Sequence, residues 1–249
     1  IGDSGYISAK VVGIDNSQGT AIAIADLRKA LENALSGSKL DILGFDACLI
    51  GSLEVIYELR NVANYIVASS FEEPAEGWDY TFLSEIEPTS SASEVAISIV
   101  DYYRDFYSAE GSREDGLSLA VYKTLQVEEF VSDLNSFISD LEADLNKVDA
   151  IYSDVVKCYI DNYNRPVLVD LGNFIDEWVS RGIVSTPDLS SVVVYSYGEI
   201  DGQTLSFPIS IFMPENMSCY RTYQADYQTL SFPSDTQWDE FLEYWLGIL

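Results

Sequence analysis

The chain has 249 residues, 47% of them hydrophobic, and its 41 acidic and 13 basic residues give a net charge of −28. This negative balance argues against binding to nucleic acid or to an anionic membrane. No apolar run approaches the ~18 residues of a membrane-spanning helix. The composition indicates one globular α/β unit with an acidic surface, which is either a solvated coat or a surface that concentrates cationic peptides.

The first half of the chain alternates short apolar runs, which predict strands, with segments of helical periodicity. A turn is predicted at residues 15–19, and Thr20 is placed to cap the first helix. Strands that alternate with helices favour parallel pairing through right-handed crossovers. The predicted strands are 6–14, 40–45, 65–69 and 117–122, and the predicted helices are 22–35, 53–62, 80–86 and 92–107.

The second half is predicted to be helical at first and richer in strands later. A long helical stretch over 127–160, broken near Asn146, presents its acidic residues on a solvated face. Asp201 and Gly202 form a typical hairpin turn between strands 192–197 and 204–212. A polar loop at 108–116, a helix over 168–179 and a final helix over 238–246, capped by Asp235, complete the prediction.

Cys48 lies where a predicted buried parallel strand turns into a helix that begins near Leu53. Open α/β sheets place ligands and reacting groups at the carboxyl ends of their strands. A thiol exposed there, beside the N–H groups of a helix start, is favoured as the nucleophilic thiolate. The alternative is a cysteine that only fills a small apolar gap. Gly51 is predicted to give the turn room, and Ser52 to cap the helix.

The other two cysteines, Cys158 and Cys219, are predicted to be ordinary buried or half-buried residues. Three scattered cysteines are too few for a disulfide framework or a metal cluster. Only Cys48 is therefore a candidate nucleophile.

The segment around Cys48 reads Phe45-Asp46-Ala47-Cys48-Leu49-Ile50-Gly51-Ser52. Together with the residues up to 59, it closely resembles the nucleophile segment of the clostripain family of cysteine peptidases. Similar blocks follow in the family's order at 67–74, 77–80, 169–174, 209–214 and 230–242. The resemblance implies a single peptidase domain over residues 1–249 with a caspase-like α/β/α sandwich of three layers around a mainly parallel central sheet. It also implies a bacterial protein that is secreted or attached to the cell envelope.

The chain contains no histidine, although a thiol peptidase needs a base that takes the thiol proton and later protonates the leaving amine. The resemblance implies a Cys–His dyad with Cys48 as nucleophile and a histidine on an N-terminal segment or light chain, separated by self-cleavage. Residues 1–249 then form the cysteine-bearing heavy chain, or a sequence truncated at its amino end, and are expected to be inactive alone. A catalytically inactive scaffold of the same fold is the first alternative.

Asp46 lies two residues before Cys48 and is predicted to point to the same side of the chain. A carboxylate there would raise the thiol pKa, but it suits the binding of an arginine or lysine side chain next to the scissile bond. The resemblance assigns Asp46 to the primary specificity pocket, and a helix cap is the alternative. The predicted substrate-binding residues are Asp46, Ala47, Ser69, Ser70, Glu72 and Glu73, for an endopeptidase that cleaves after arginine or lysine.

Metal binding is the remaining alternative. Asp15, Asn16 and the acidic group Glu72, Glu73, Glu76 and Asp79 offer oxygen ligands, but neither set has the spacing of an EF-hand. The resemblance leaves calcium as a candidate cofactor. An acidic calcium- or cation-binding module is therefore the rival from another class, and it would leave Cys48 unreactive.

Overall fold

The described strands form three sheets, one central and two small. The computed structural model describes residues 11–15, 20–108, 116–182 and 186–247. The strands are β1 (Val11–Asp15), β2 (Thr20–Ala23), β3 (Leu40–Gly44), β4 (Ala63–Ala68), β5 (Leu117–Lys123), β6 (Lys157–Ile160), β7 (Pro166–Asp170), β8 (Val193–Ile200), β9 (Gln203–Thr204) and β10 (Ser210–Phe212). The central sheet has the order β3-β4-β5-β8-β9, and the small sheets have the orders β1-β2 and β10-β7-β6.

Helices connect these strands and cover the sheets. The α-helices are α1 (Ile24–Leu35), α2 (Leu53–Glu58), α3 (Ala92–Ser108), α4 (Val127–Glu142), α5 (Leu145–Asp154), α6 (Leu171–Ser180), α7 (Met217–Tyr227), α8 (Ser231–Asp235) and α9 (Trp238–Trp245). Short 3-10 helices lie at Tyr80–Glu85, Thr124–Gln126 and Leu189–Ser191. Every residue of α2 is buried, so the helix after Cys48 is part of the core.

Successive residues of the central strands point into two hydrophobic clusters, one on each face of the sheet. In β4, Ile66 and Ala68 belong to the larger cluster, whereas Val67 belongs to the smaller one. In β5, Ala120 belongs to the larger cluster and Leu119 to the smaller one. Side chains of α3 complete the smaller cluster, and those of α2 and α4 contribute to the larger one. The predicted arrangement of three layers, α/β/α, is confirmed.

The pairing of the central sheet is more mixed than predicted. Among the described strands, β3 and β4 are parallel, but β4-β5, β5-β8 and β8-β9 are antiparallel. The cause is the long connection after β4, because α3 ends near the carboxyl end of that strand. The Tyr107 hydroxyl near the end of α3 donates a hydrogen bond to Gly77 O, in the loop that follows β4. β5 therefore starts where β4 ends and runs back beside it.

β3 is also more exposed than the predicted buried strand. Asp41 and Gly44 are exposed, and Leu40, Ile42 and Leu43 are half-buried. Within the described residues only β4 pairs with β3, so β3 forms one edge of the sheet.

Several predicted helix boundaries are wrong because a strand occupies the predicted helical residues. Thr20 lies in β2, which pairs with β1, and α1 begins at Ile24 without a side-chain cap. The stretch 127–160 breaks at Asp144, close to the predicted position, but it ends in strand β6. The predicted helix 168–179 starts only at Leu171, because Pro166–Asp170 form β7.

The predicted strand 204–212 is divided between two sheets. The hairpin at Asp201 and Gly202 is confirmed, with φ values of 50° and 76°. After β9 the chain leaves the central sheet, and β10 pairs with β7 instead. Asp235 ends α8 and does not cap α9, whose N-cap residue is Gln237. The predictions for residues 6–10, 16–19 and 109–115 lie outside the described residues.

Candidate active site

Cys48 lies in the turn that connects β3 to α2. Phe45 N–H donates to Val67 O at 2.9 Å, so the parallel pairing continues one residue beyond β3. Leu49, directly after the cysteine, has a φ of 61°, in the left-handed region that residues other than glycine seldom adopt. Its N–H donates to Phe71 O at 2.9 Å and its side chain is buried. These contacts fix the sharp turn that presents Cys48.

The residues after the turn anchor it to the sheet and to α2. Gly51 N–H donates to Ser69 O at 2.6 Å, and a Cβ at Gly51 would lie 2.5 Å from the Tyr122 hydroxyl oxygen. Ser52 Oγ accepts a hydrogen bond from Val55 N–H and so caps α2. The predicted roles of Gly51 and Ser52 are both confirmed.

Glu54, in the first turn of α2, ties that helix to β10. Its Oε1 accepts a hydrogen bond from Phe212 N–H at 2.8 Å, and its Oε2 is buried without a partner among the described residues. Burial raises the pKa of Glu54 to about 7, against the lowering effect of the Phe212 N–H. Ser210 N–H also donates to Gly51 O at 3.0 Å, so β10 holds both the turn and the helix.

The Cys48 thiol is open to solvent on one side and contacts the loop after β4 on the other. The residue as a whole is exposed, and its Sγ accepts a hydrogen bond from Glu73 N–H at 3.3 Å. Partial burial of the sulfur, and then the negative charges of Glu72 and Glu73, raise the pKa of the Cys48 thiol, whereas the Glu73 N–H lowers it. The net effect is a raised pKa, so this chain alone does not activate its thiol.

The Asp46 carboxylate is exposed and lies against residues 77–80 of the same loop. Its Oδ2 accepts hydrogen bonds from Trp78 N–H at 3.2 Å and from the Tyr80 hydroxyl at 2.9 Å. Gly77, with a φ of 68°, lies so close that a Cβ there would be 2.7 Å from Oδ2. Asp46 does not cap α2, because Ser52 does. The Asp46 carboxylate is thus exposed at the surface, and residues 77–80 hold it through hydrogen bonds and close packing.

Glu72 and Glu73 have different surroundings although they are adjacent. Glu72 is exposed, whereas the Glu73 side chain turns inward and its Oε1 accepts a hydrogen bond from Trp78 Nε1 at 3.3 Å. Glu73 Oε2 and the Tyr103 hydroxyl are both buried, and Tyr103 interacts with the Glu73 carboxyl group. Burial raises the pKa of Glu73 to about 8, and the charge of Asp46 raises it further, against the effects of Trp78 and Tyr103.

Ser69 and Ser70 lie beneath the site, with Ser118 of β5 between them. Ser118 Oγ accepts a hydrogen bond from Ser70 N–H at 2.9 Å, and it lies 3.2 and 2.9 Å from the hydroxyl oxygens of Ser69 and Ser70. All three side chains are buried, so Ser69 and Ser70 support the site from below. Ala47 is half-buried beside the exposed Asp46 and Cys48.

The structure brings Cys48, Asp46, Ala47, Glu72 and Glu73 together around one turn; their contact with a substrate stays a prediction. In the described ranges, no three His, Cys, Asp or Glu side chains gather as a metal site. Asn16 lies outside those ranges, and calcium also stays a prediction.

Sequence reasoning missed Tyr80 and Ser118, which contact Asp46 and the two serines. Both contacts cross large sequence separations of 34 and 48 residues, so local periodicity carried no signal for them. Trp78 anchors the same loop, since its side chain is buried in the smaller hydrophobic cluster.

A cysteine at the carboxyl end of β3, in an α/β/α sandwich, is an arrangement that fits the class of caspase-like cysteine peptidases. The sequence profile of the clostripain family, C11, matches residues 1–245. The chain belongs to the clostripain family. None of the curated protein sequences matches it.

Solved structures of similar fold include three bacterial proteases. A Bacteroides fragilis cysteine protease has 23% sequence identity and a TM-score of 0.66, over 91% of this chain and 96% of that one. A secreted C11 cysteine protease from Bacteroides thetaiotaomicron, in complex with an irreversible peptide inhibitor, has 20% identity and a TM-score of 0.65, over 92% and 67%. A clostripain from Bacteroides thetaiotaomicron, in complex with the peptide inhibitor BTN-VLTK-AOMK, has 18% identity and a TM-score of 0.61, over 90% and 98%.

These likenesses confirm the predicted caspase-like fold. Among the described helices, none has the length and apolar character required to cross a bilayer.

Proposed function

We propose that this chain is the nucleophile-bearing part of a cysteine endopeptidase that cleaves peptide bonds after arginine or lysine. One observation carries the proposal: the exposed Cys48 thiol and the exposed Asp46 carboxylate lie in the same turn at the carboxyl end of β3. The thiol supplies a nucleophile, and the carboxylate suits a cationic side chain next to the scissile bond.

In the proposed mechanism the Cys48 thiolate attacks the carbonyl carbon of the scissile bond. The backbone N–H of Cys48 donates a hydrogen bond to the oxyanion that forms. The intermediate then breaks its C–N bond and leaves a thioester on Sγ, while the leaving amine takes a proton from an imidazolium. Water, deprotonated by the same imidazole, hydrolyses the thioester and restores the thiol.

The imidazole belongs to a second polypeptide segment in this proposal, because these 249 residues contain no histidine. The edge position of β3 supports the idea. Among the described strands β3 pairs only with β4, which leaves backbone donors and acceptors along its other edge. A parallel strand added there would end next to Cys48, since the carboxyl ends of parallel strands lie together. We assign this edge to an N-terminal segment or light chain that carries the histidine.

Specificity for a basic residue rests on Asp46. A neutral side chain bound beside it would desolvate the carboxylate without pairing it, which disfavours such substrates. The inhibitor in the Bacteroides thetaiotaomicron clostripain complex has a peptide that ends in K, lysine. Ala47, and the exposed Glu72, border the same position, whereas the buried Ser69 and Ser70 would shape the pocket through their backbone.

Labelling with a peptidyl electrophile tests this function. The probe carries lysine or arginine at its reactive end, and the protein is the complete one, with its histidine-bearing segment. We expect stoichiometric labelling of Cys48, complete loss of labelling in Cys48→Ala and a loss of at least about tenfold in labelling rate in Asp46→Asn. Cys219→Ala is the control, because that thiol is buried.

Two other results would contradict the proposed function, in whole or in part. A complete protein that remains unlabelled would indicate an inactive scaffold of the same fold. Labelling lost in Cys48→Ala but unchanged in Asp46→Asn would keep the nucleophile and reject the basic specificity.

We also propose that the protein is bacterial, is secreted or attached to the cell envelope, and separates its two segments by self-cleavage. The description of one Bacteroides thetaiotaomicron relative as secreted supports the location. Calcium as a cofactor is a separate proposal. A higher midpoint of thermal unfolding in calcium than in chelator would support it, and equal midpoints would reject it.

A further inference from the structure

One of the two carboxylate oxygens of Asp46 is already occupied. Oδ2 accepts hydrogen bonds from both Trp78 N–H and the Tyr80 hydroxyl, at 3.2 and 2.9 Å. An ionised carboxylate offers about four lone-pair directions, two on each oxygen. Those of Oδ2 are therefore filled, while the described part of the chain donates no hydrogen bond to Oδ1. Oδ1 of Asp46 is therefore the oxygen that can accept hydrogen bonds from the cationic side chain of a substrate.

The Tyr80 hydroxyl is held in this position by its neighbours. Its ring lies between Trp78 and Phe82, with centroid distances of 6.3 and 6.1 Å. The residue also begins a short 3-10 helix that Asp79 caps. Burial, and then the hydrogen bond and charge of Asp46, raise the pKa of Tyr80, so its hydroxyl stays protonated as a donor.

Gly77 limits how the carboxylate can rearrange. A Cβ at this position would lie 2.7 Å from Oδ2 and 2.9 Å from Oδ1 of Asp46, so the loop backbone closes one side of the group. The Tyr107 hydroxyl holds that backbone through a hydrogen bond of 2.8 Å to Gly77 O. The carboxylate therefore keeps the orientation in which Oδ2 faces Tyr80.

Lysine and arginine need different things from such a carboxylate. A guanidinium pairs best through two parallel N–H···O bonds, one to each oxygen. An ammonium is a compact charge that one oxygen can satisfy. At Asp46 a bidentate pair with arginine requires either Trp78 N–H or the Tyr80 hydroxyl to give up its hydrogen bond to Oδ2. A lysine ammonium can bind Oδ1 without breaking either bond.

We propose that the Tyr80 hydroxyl makes this site select lysine over arginine. The inference rests on the proposed function, because it concerns the residue that precedes the cleaved bond. It adds a specificity-determining residue, and it narrows the substrate class from basic peptides to those with lysine at that position.

The test uses the complete protein and two fluorogenic peptide amides that differ only in lysine or arginine before the cleaved bond. We expect a higher kcat/KM for the lysine substrate in the unmodified protein. In Tyr80→Phe, the ratio of lysine to arginine kcat/KM should fall by about tenfold, chiefly through faster arginine cleavage. Tyr102→Phe is the matched control, since the Tyr102 ring contacts Phe82 in the same aromatic row without contacting Asp46; its ratio should be unchanged.

The possible outcomes distinguish a failure of the proposed lysine selectivity from a failure of the proposed peptidase function. An arginine preference in the unmodified protein overturns the inference, and this measurement needs no folded variant. An unchanged ratio in Tyr80→Phe overturns it as well, while cleavage after basic residues still supports the proposed function. Absence of cleavage of both substrates, together with absence of Cys48 labelling, overturns the proposed function and this inference together.

Discussion

The backbone N–H of Glu73 donates a hydrogen bond of 3.3 Å to Cys48 Sγ, across 25 positions of sequence. One loop thus supplies a hydrogen-bond donor to the sulfur and two acidic residues whose charges act on it. The donor lowers the thiol pKa, but desolvation and the charges of Glu72 and Glu73 outweigh it. Cys48 is therefore less nucleophilic in this chain at neutral pH than an ordinary exposed cysteine.

The first prediction concerns the alkylation of Cys48 in the 249-residue chain. Its rate with iodoacetamide should rise with pH through a midpoint above that of a cysteine in a short peptide. Glu72→Gln should move the midpoint to lower pH, because it removes a negative charge that raises the thiol pKa. Glu76→Gln is the control, as this exposed residue is not among the groups named above as shifting the thiol pKa. An identical midpoint in the Glu72 variant would contradict the electrostatic account.

The second prediction concerns Gly77. Gly77→Ala would place a Cβ 2.7 Å from Asp46 Oδ2, so the loop or the carboxylate must move. We expect kcat/KM of the complete enzyme for basic substrates to fall by about tenfold or more, since small displacements of a binding group are costly.

Gly182→Ala is the control for backbone strain at Gly77. Gly182 also has a positive φ, 94°, but a Cβ there meets no atom of the described residues within 4 Å. Both variants should lose about 1 kcal/mol of stability, and only Gly77→Ala should lose activity. Equal activities would show that the orientation of Asp46 tolerates this change.

The third prediction concerns Ser118. Ser118→Ala leaves the buried N–H of Ser70 without its acceptor and removes the hydroxyl contacts with Ser69 and Ser70. A buried donor without an acceptor costs about 1–3 kcal/mol, so the free energy of unfolding should fall by that amount. Urea denaturation of both proteins measures the difference. The exposed Ser84→Ala, which loses only a local bond to Thr81 O, should change stability by about 0.5 kcal/mol or less.

The fourth prediction concerns stability and pH. Burial raises the pKa of Glu54 from 4.5 to about 7 and that of Asp170 from 3.8 to about 7. A raised pKa means that the folded state binds the proton more tightly than the unfolded chain does. The stabilisation is complete below the unfolded pKa values and is lost as pH rises through about 7. Thermal unfolding midpoints should therefore fall between about pH 5 and pH 8.

Glu54→Gln should remove its share of this dependence. The shift from 4.5 to about 7 corresponds to about 3 kcal/mol between the two limits. The variant should be less stable than the unmodified chain near pH 5 and closer to it, or more stable, near pH 8. The exposed Glu142→Gln serves as the surface control, and parallel stability curves for both variants would contradict the assignment to Glu54.

The features that sequence predicted well are local ones. The turn at Cys48, the cap at Ser52 and the hairpin at Asp201 and Gly202 depend on a few adjacent residues whose backbone preferences agree. Cys48 and Asp46 are only two residues apart in sequence, so their proximity in space was predictable.

The features that sequence could not predict depend on which distant strands meet. A short apolar run such as Pro166–Asp170 fits a helix or a strand equally well until β10 pairs with it. The contact of Tyr80 with Asp46 likewise requires the loop after β4 to fold back over the carboxyl end of β3. Tertiary pairing, rather than propensity, decided both.

Of the three thiols in this protein, Cys48 alone is exposed, while Cys158 and Cys219 are buried. A chromogenic disulfide reagent should accordingly titrate one sulfhydryl per folded molecule and all three after denaturation. Titration before denaturation then reports the occupancy of Cys48 by an inhibitor, and the additional thiols that react after denaturation report the fraction of chains that were folded.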